Sequence, residues 1–144
     1  MRLRPLTQED SKDVFDATHN DWTIHHALRD YFCETPEYAK KFVAKLIANS
    51  QTKPYAVLSD NNEFAGVLTV DSSHGPSTIE ISSFISTKYR RKGYATLSLW
   101  MIFQMYPGYR VLFNVTPDNC RSLSIMRKIG AYKLNDDYYF VDTW

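Results

Sequence analysis

Residues 85–96 read ISTKYRRKGYAT, and this stretch decides the fold of the chain. Residues 77–86, which run into this stretch, are rich in β-branched and aromatic side chains and predict a strand. After it, a strongly apolar helix is predicted from Gly93 to about Tyr106. The stretch therefore joins a strand to a helix through a short basic loop that contains one glycine.

This junction has the chemistry of an anion site. The first N–H groups of a helix have no partner within the helix and lie at the positive end of its dipole. Gly93 has no Cβ, so a phosphate can approach the backbone closely there. Positive charge is added by Arg90, Arg91 and Lys92. We therefore expect a phosphate-bearing cofactor, held mainly by main-chain donors.

The charge distribution supports an anionic ligand for the second half of the chain. Residues 88–133 contain 9 Lys and Arg against one acidic residue, a net charge of +8, whereas residues 1–50 contain 7 against 8, a net charge of −1. Nucleic acid would also suit the basic segment, but the acidic remainder of the chain argues against a nucleic-acid partner.

Length and composition predict one domain over residues 1–144. The charged N-terminus is unlike a signal peptide, and the longest apolar run, near Leu99–Phe103, is too short to span a membrane. Cys33 and Cys120 have no paired spacing, so we expect reduced thiols in a cytoplasmic protein without a membrane partner. The four histidines have no ligand spacing, and no metal site is predicted.

Periodicity and turn residues predict the order β-α-α-β-β-β-α-β-α-β-β, which is an α/β fold with a mixed sheet and helices on both faces. Thr7 caps a helix over Gln8–Thr18, and Thr35-Pro36-Glu37 starts the next one. Residues 19–34 are ambiguous, with a short helical stretch expected around Trp22–Tyr31. A late helix is predicted to start at Thr116-Pro117-Asp118 and to end at Gly130.

Two motifs resemble those of GNAT-superfamily N-acetyltransferases. Arg90-Arg91-Lys92-Gly93-Tyr94-Ala95 fits that family's acetyl-CoA motif, [Gln/Arg]-x-x-Gly-x-[Gly/Ala], and Tyr89 before it is also common there. Further on, Asn119-x-x-Ser122 followed by Lys128-Ile129-Gly130 resembles the family's late helix. The order of elements agrees over nearly the whole chain. The resemblance implies acetyl-CoA as the co-substrate and acetyl transfer to an amine.

The resemblance also implies roles for individual residues. Backbone N–H groups of residues 91–96 would bind the CoA pyrophosphate, the strand edge at Ile85 and Thr87 would pair with the pantetheine amides, and the strand at 109–115 would splay away from it. Asn119 would bond the pantetheine arm or order its loop, or act only as a helix cap. The full set expected to bind the donor is Ile85, Thr87, Arg90, Arg91, Lys92, Gly93, Tyr94, Ala95, Thr96, Asn119 and Ser122.

Glu80 is the candidate catalytic base. Amine acetylation needs a neutral amine, the family often uses a carboxylate on this strand, and Glu80 is the only acid between Asp71 and Asp118. The family's usual acid, a tyrosine seven residues after the Asn, is replaced by Met126. The tyrosines that could replace it as the acid, on the ground of proximity alone, are Tyr132, Tyr138 and Tyr139. The methionine keeps open a second reading, a non-catalytic acyl-CoA-binding module.

The expected acceptor is an amine of a small molecule or a protein, and the chain is expected to be a monomer or a homodimer. In the family, the first helices and the last hairpin border the acceptor groove. Here these segments contribute acids and aromatics that suit a cationic amine: Asp21, Trp22, Asp30, Tyr31, Glu34, Tyr138, Tyr139 and Trp144.

Overall fold

One mixed sheet forms the centre of the protein in a computed structural model, which describes residues 1–22, 24 and 32–144. Within these residues the sheet has seven strands, flanked by four α-helices. The elements are β1 (Arg2–Pro5), α1 (Ser11–Thr18), α2 (Pro36–Ala48), β2 (Thr52–Leu58), β3 (Phe64–Asp71), β4 (Thr78–Ile85), α3 (Tyr94–Met105), β5 (Arg110–Asn114), α4 (Cys120–Ile129), β6 (Tyr132–Lys133) and β7 (Tyr138–Asp142). The predicted order and fold class are confirmed.

The strands lie in the order β1-β2-β3-β4-β5-β7-β6. Neighbouring strands are antiparallel except β4 and β5, which are parallel because the chain crosses over between them through α3. The strand interface at the middle of the sheet is therefore also the place where the basic loop of residues 86–93 leaves the sheet.

Each face of the sheet carries its own hydrophobic core. On the α3/α4 face, Ile79, Ile81 and Val111 pack with Ile102 and Met126. On the α1/α2 face, Val67 and Phe84 pack with residues of the first helices, Val14, Ala39 and Val43. Successive side chains of β4 alternate between the two faces, so Glu80 and Ser82 share the face of Phe84. The β3–β4 register has no bulge that would change this alternation.

Local capping decides where the helices begin. The Thr35 hydroxyl accepts a hydrogen bond from Tyr38 N–H (3.1 Å), which confirms the predicted start of α2. Asp10 accepts from Thr7 N–H (2.8 Å), but the turn Gln8–Asp10 is a 3₁₀ turn and the α-helix begins at Ser11.

The predicted start of α4 at Thr116-Pro117-Asp118 is wrong. Asn119 is the cap, because its side chain accepts a hydrogen bond from Ser122 N–H (3.2 Å), and the helix begins at Cys120. Residues 116–119 instead form a turn, closed by a hydrogen bond from Asn119 N–H to Thr116 O (3.1 Å). The predicted helical stretch around Trp22–Tyr31 lies largely outside the described residues. None of the described helices has the length and apolarity needed to cross a membrane.

Candidate active site

A gap opens between β4 and β5 in the middle of the sheet. Their register covers only Thr78–Glu80 of β4, opposite Arg110–Leu112 of β5. Both strands continue beyond these pairs, β4 to Ile85 and β5 to Asn114. Glu80, opposite Leu112, is thus the last paired residue of β4 before the strands separate.

The backbone of β4 presents polar groups to this gap. Ser86 N–H donates to Ala65 O on the β3 side (2.8 Å), whereas Ser77 O accepts from Arg110 N–H on the β5 side (2.9 Å). Because the backbone of a strand alternates between its two edges, the odd-numbered residues Ile81, Ser83 and Ile85 face the gap. An extended ligand with amide groups has donors and acceptors to pair with here.

The N-terminus of α3 forms a cradle of unpaired donors. The first N–H to bond within the helix is that of Leu97, to Gly93 O (2.9 Å). The four N–H groups before it, those of residues 93–96, have no protein acceptor within the described part of the chain. Gly93 has φ +81°, and a Cβ added there would meet no atom within 4 Å, so the approach to the cradle is open. Arg91, with φ +62°, turns the loop just before it.

The gap and the cradle belong to one cavity of about 640 Å³. Ten of the eleven residues predicted to bind the donor line it, and the exception is Lys92. Sequence reasoning missed several lining residues: Ser83, Phe84, Arg121, Ser124, Ile125 and Lys128. Those on α4 repeat at helical spacing after Asn119, so the periodicity of α4 carried a signal for them.

In the part of the lining that the structure describes, positive charge dominates: no residue is acidic, and the basic ones are Arg90, Arg91, Arg121 and Lys128. Burial lowers the pKa of Arg121, and the nearby charges of Arg90 and Arg91 lower it further, while Asp21 opposes them. An anionic ligand would relieve this repulsion between like charges.

Arg90 is held in place by acceptors of the chain itself. Its guanidinium donates to Ile85 O (Nε, 2.8 Å), to Thr87 Oγ1 (Nη1, 3.2 Å) and to Asp21 Oδ2 (Nη2, 2.5 Å). Burial alone would raise the pKa of Asp21, but the charge and hydrogen bond of Arg90, with donors from Ile24 and Thr87, lower it overall. This ion pair ties the basic loop to the segment that follows α1.

Glu80 lies outside the cavity lining, at the point where the gap closes. It is three residues before Ser83, or about 10 Å along the strand. Its Oε1 contacts His74 Nε2 at 2.6 Å, and its side chain is 18% exposed. The His74 ring in turn makes an edge-to-face contact with the ring of Tyr138 on β7 (centroids 6.3 Å apart, planes at 79°). Sequence reasoning named Glu80 and Tyr138 but did not connect either with His74.

Comparison with known proteins assigns the family. The family model for the acetyltransferase (GNAT) domain matches residues 1–132. The chain belongs to the GNAT acetyltransferase family. It is an N-acetyltransferase with acetyl-CoA as its donor, and the predicted family and co-substrate are confirmed.

Solved structures of GNAT proteins superpose over almost the whole chain. An acetyltransferase of the GNAT family from Bacillus anthracis is 22% identical, with a TM-score of 0.79 over 97% of this chain and 93% of its own. A ribosomal alpha-N-protein acetyltransferase in complex with coenzyme A is 19% identical (TM-score 0.81, 98% and 93%). A spermidine N-acetyltransferase from Vibrio cholerae, in complex with CoA and spermine, is 14% identical (TM-score 0.76, 98% and 91%). No curated protein sequence matches the chain significantly.

The residues present fit the GNAT donor. The pyrophosphate of CoA calls for a row of N–H donors with positive charge around it, which the cradle and the lining arginines supply. The amides of its pantetheine arm call for an unpaired strand edge, which β4 supplies. Asn119 and Ser122 line the same cavity, where Asn119 also has its capping role.

Met126 occupies the position of the usual GNAT tyrosine but does not line the cavity. Its side chain is 4% exposed and belongs to the core on the α3/α4 face. Of the tyrosines considered as substitutes, Tyr139 packs against that same core and Tyr132 is largely exposed. Tyr138 lies on the other face, beside His74.

Only part of the predicted acceptor groove is available to a cation. The Asp21 carboxylate is engaged by Arg90. Trp22, 68% exposed, stacks on Phe32 (6.1 Å), and Trp144 is 91% exposed. Glu34 is exposed as well. The predicted residues Asp30 and Tyr31 lie outside the described residues.

Proposed function

We propose that this acetyltransferase transfers the acetyl group to a primary amine of a small molecule or a protein, by direct attack in a ternary complex, with Glu80 as the base. The observation that carries the proposal is the position of Glu80 at the last β4–β5 pair, where the gap meets the α1/α2 face. An amine on that face and a donor in the gap would meet beside this carboxylate.

The residues predicted to bind the donor hold it, together with further residues that line the cavity. The N–H groups of residues 93–96 bind the pyrophosphate, and Arg91, Arg121 and Lys128 supply charge. The gap-facing backbone of Ser83 and Ile85 pairs with the pantetheine amides. Arg90 acts by orienting the loop and Ile85 O, since its guanidinium already has three acceptors. When bound, acetyl-CoA supplies an acetyl group activated as a thioester.

Glu80 takes the proton of the acceptor amine. An ammonium group has no lone pair for attack, so a base must remove its proton first. Among the described residues the lining of the cavity contains no carboxylate, and Glu80 is the acid at its closed end. A water molecule between the amine and Glu80 would bridge the remaining distance.

The departing thiolate leaves without a protein acid on α4. Met126 cannot donate a proton and is buried in the core. A CoA thiol is acidic enough for its thiolate to leave unassisted. The side chain of Tyr94, which lines the cavity, is directed to the β2–β3 turn, where its hydroxyl accepts from Asp60 N–H (3.4 Å).

An amine acceptor agrees with the names of the similar structures, which include a spermidine and an aminoglycoside acetyltransferase. The test is a panel of spermidine, an aminoglycoside and peptides with free N-termini, assayed for thiol release from acetyl-CoA. We expect turnover of at least one amine. Glu80→Gln should lower kcat by about 10²–10⁴-fold while acetyl-CoA still binds. Glu37→Gln, in the exposed first turn of α2, is the matched control. It should keep both the wild-type kcat and the wild-type affinity for acetyl-CoA.

Two results would overturn the proposal. One is a Glu80→Gln variant that keeps the wild-type kcat. The other is a parallel double-reciprocal pattern, which indicates a covalent acetyl-enzyme and not a ternary complex. Cys120 is exposed at the start of α4 and does not line the cavity, so Cys120→Ser should keep full activity.

A further inference from the structure

His74 lies in the turn between β3 and β4 and is hydrogen-bonded to the candidate base. Because an ionised carboxylate only accepts, the hydrogen of the 2.6 Å contact sits on His74 Nε2 and is donated to Glu80 Oε1. Within the described part of the chain, the other ring nitrogen has no protein partner, and the side chain is 32% exposed. The imidazole therefore links Glu80 to solvent.

The charges around Glu80 explain why the hydrogen bond from His74 is stabilising. Asp71 lies directly opposite Glu80 in the β3–β4 register, and like charges at such positions repel. On the other side, the Arg110 guanidinium of β5 is bound by Asp142 of β7 (2.8 and 2.9 Å). Among the described residues, His74 is the one basic group in contact with Glu80. It offsets the repulsion from Asp71 and fixes the rotamer of the glutamate.

Tyr138 fixes the ring itself. The edge-to-face contact of the two rings holds the imidazole plane against β7, on the same face of the sheet as Glu80. His74, Glu80 and Tyr138 thus converge from a turn and two strands at the closed end of the gap.

We propose that His74 is a positioning residue for Glu80 and the exit for the acceptor's proton. The inference rests on the proposed function, because it requires Glu80 to be the base. The ammonium of the acceptor gives one proton to the Glu80 carboxylate. Because Nδ1 faces solvent, the imidazole can exchange its hydrogen with water and take the tautomer that carries the hydrogen on Nδ1; Nε2 then accepts the proton of the Glu80 acid. The imidazolium releases the Nδ1 proton to water, which leaves Nε2–H donating to the regenerated carboxylate. The amine lone pair forms the N–C bond as the C–S bond breaks, and the second proton of the nitrogen is lost to the departing thiolate or to water.

The test compares three variants with the fastest amine of the panel. His74→Ala should lower kcat by roughly 10–100-fold and leave the acetyl-CoA Kd within about twofold of wild type. Millimolar imidazole should restore a large part of this activity, because it can occupy the vacated position and carry the proton. His74→Gln should recover some of the lost kcat, since its amide can orient Glu80 but cannot relay a proton, and imidazole should not improve it.

His19→Ala is the matched control. His19 is a half-buried histidine at the end of α1 whose ring bonds Phe15 O (2.9 Å), with no contact to Glu80. Its loss should not change kcat, and imidazole should have no effect. Melting curves of all variants separate unfolding from loss of function.

The outcomes distinguish this inference from the proposed function. If wild type is active and Glu80→Gln is impaired while His74→Ala keeps kcat within twofold of wild type, the role of His74 is refuted and the proposed function stands. A His74→Ala variant that imidazole does not restore also overturns it, since a purely structural histidine predicts that result. If the wild-type protein turns over no amine, or if Glu80→Gln is fully active, the proposed function fails and the inference with it.

Discussion

The carboxylate of Asp21 lies 2.5 Å from the guanidinium of Arg90, in an ion pair whose side chains are 8% and 17% exposed. The two residues are 69 positions apart in the sequence. Arg90 also holds Ile85 O at the end of β4, so the pair connects the segment after α1 with the strand edge and the loop that receive the donor. A change at Asp21 should therefore affect both stability and donor binding.

Asp21→Asn should reduce the free energy of unfolding at neutral pH by about 3 kcal/mol, because it leaves the buried guanidinium without its counter-ion. The pKa of Asp21 is lowered in the folded state from an ordinary value of 3.8. Its contribution to stability is therefore complete above about pH 4 and is lost as the pH falls through the lower, folded pKa. Urea unfolding between pH 2 and pH 7 should thus show a smaller acid-induced loss of stability in the variant than in wild type.

Asp16→Asn is the control for this experiment, since Asp16 is an exposed residue of α1 that takes no part in the ion pair of Arg90. It should keep the neutral-pH stability and the acetyl-CoA affinity of wild type. Acid sensitivity that is equal in wild type and Asp21→Asn would refute a stabilising role for the ion pair.

Gly93→Ala and Gly108→Ala form a matched pair. Both glycines have positive φ, +81° and +79°, and neither has an atom within 4 Å of an added Cβ. Each alanine should cost about 1–2 kcal/mol of stability because of its backbone conformation. Only the methyl at residue 93 stands in the path of a phosphate to the cradle, so only Gly93→Ala should weaken acetyl-CoA binding, by about tenfold or more. Calorimetry on both variants tests this, and equal donor affinities would contradict the assignment of the cradle.

Met126→Tyr should not restore a catalytic acid. The side chain is enclosed in the core, so a larger phenol should destabilise the protein by about 1–3 kcal/mol and leave kcat unchanged or lower. Met126→Leu, which nearly conserves volume, should cost less than about 1.5 kcal/mol. Thermal melts and kcat of the two variants are the measurements. A gain in kcat for the tyrosine variant would mean that this position reaches the departing sulfur after all.

The sequence was sufficient for features that are determined locally. The basic loop could be predicted because a strand, a glycine and an apolar helix follow one another within twelve residues, and each has its own pattern. The hydrophobic periods of the strands and helices likewise gave the order of elements. At the start of α4, Thr116 and Asn119 are both good capping residues, and the turn between them decided for Asn119.

Features that depend on distant parts of the chain could not be predicted. The point at which β4 and β5 stop pairing depends on the packing of the whole sheet, so Ser83 was missed as a residue of the gap. Asp21 was expected in an acceptor groove because nothing in the sequence links it with Arg90. The contact of His74 with Glu80 spans only six residues, but it depends on how a turn directs one side chain.

The short β4–β5 ladder also bears on how the protein avoids unwanted strand pairing. An unpaired strand edge is usually a template for aggregation, and edge strands are protected by charge, by proline or by a covering element. Here the open edge of β4 is recessed in the middle of the sheet, with β3 on one side and β5 on the other. To pair with this edge, a strand of another molecule would have to enter between two strands of the same sheet, whereas a single extended chain of atoms can lie along it. The geometry that suits a thin cofactor arm thus hinders edge-to-edge pairing with a neighbouring molecule.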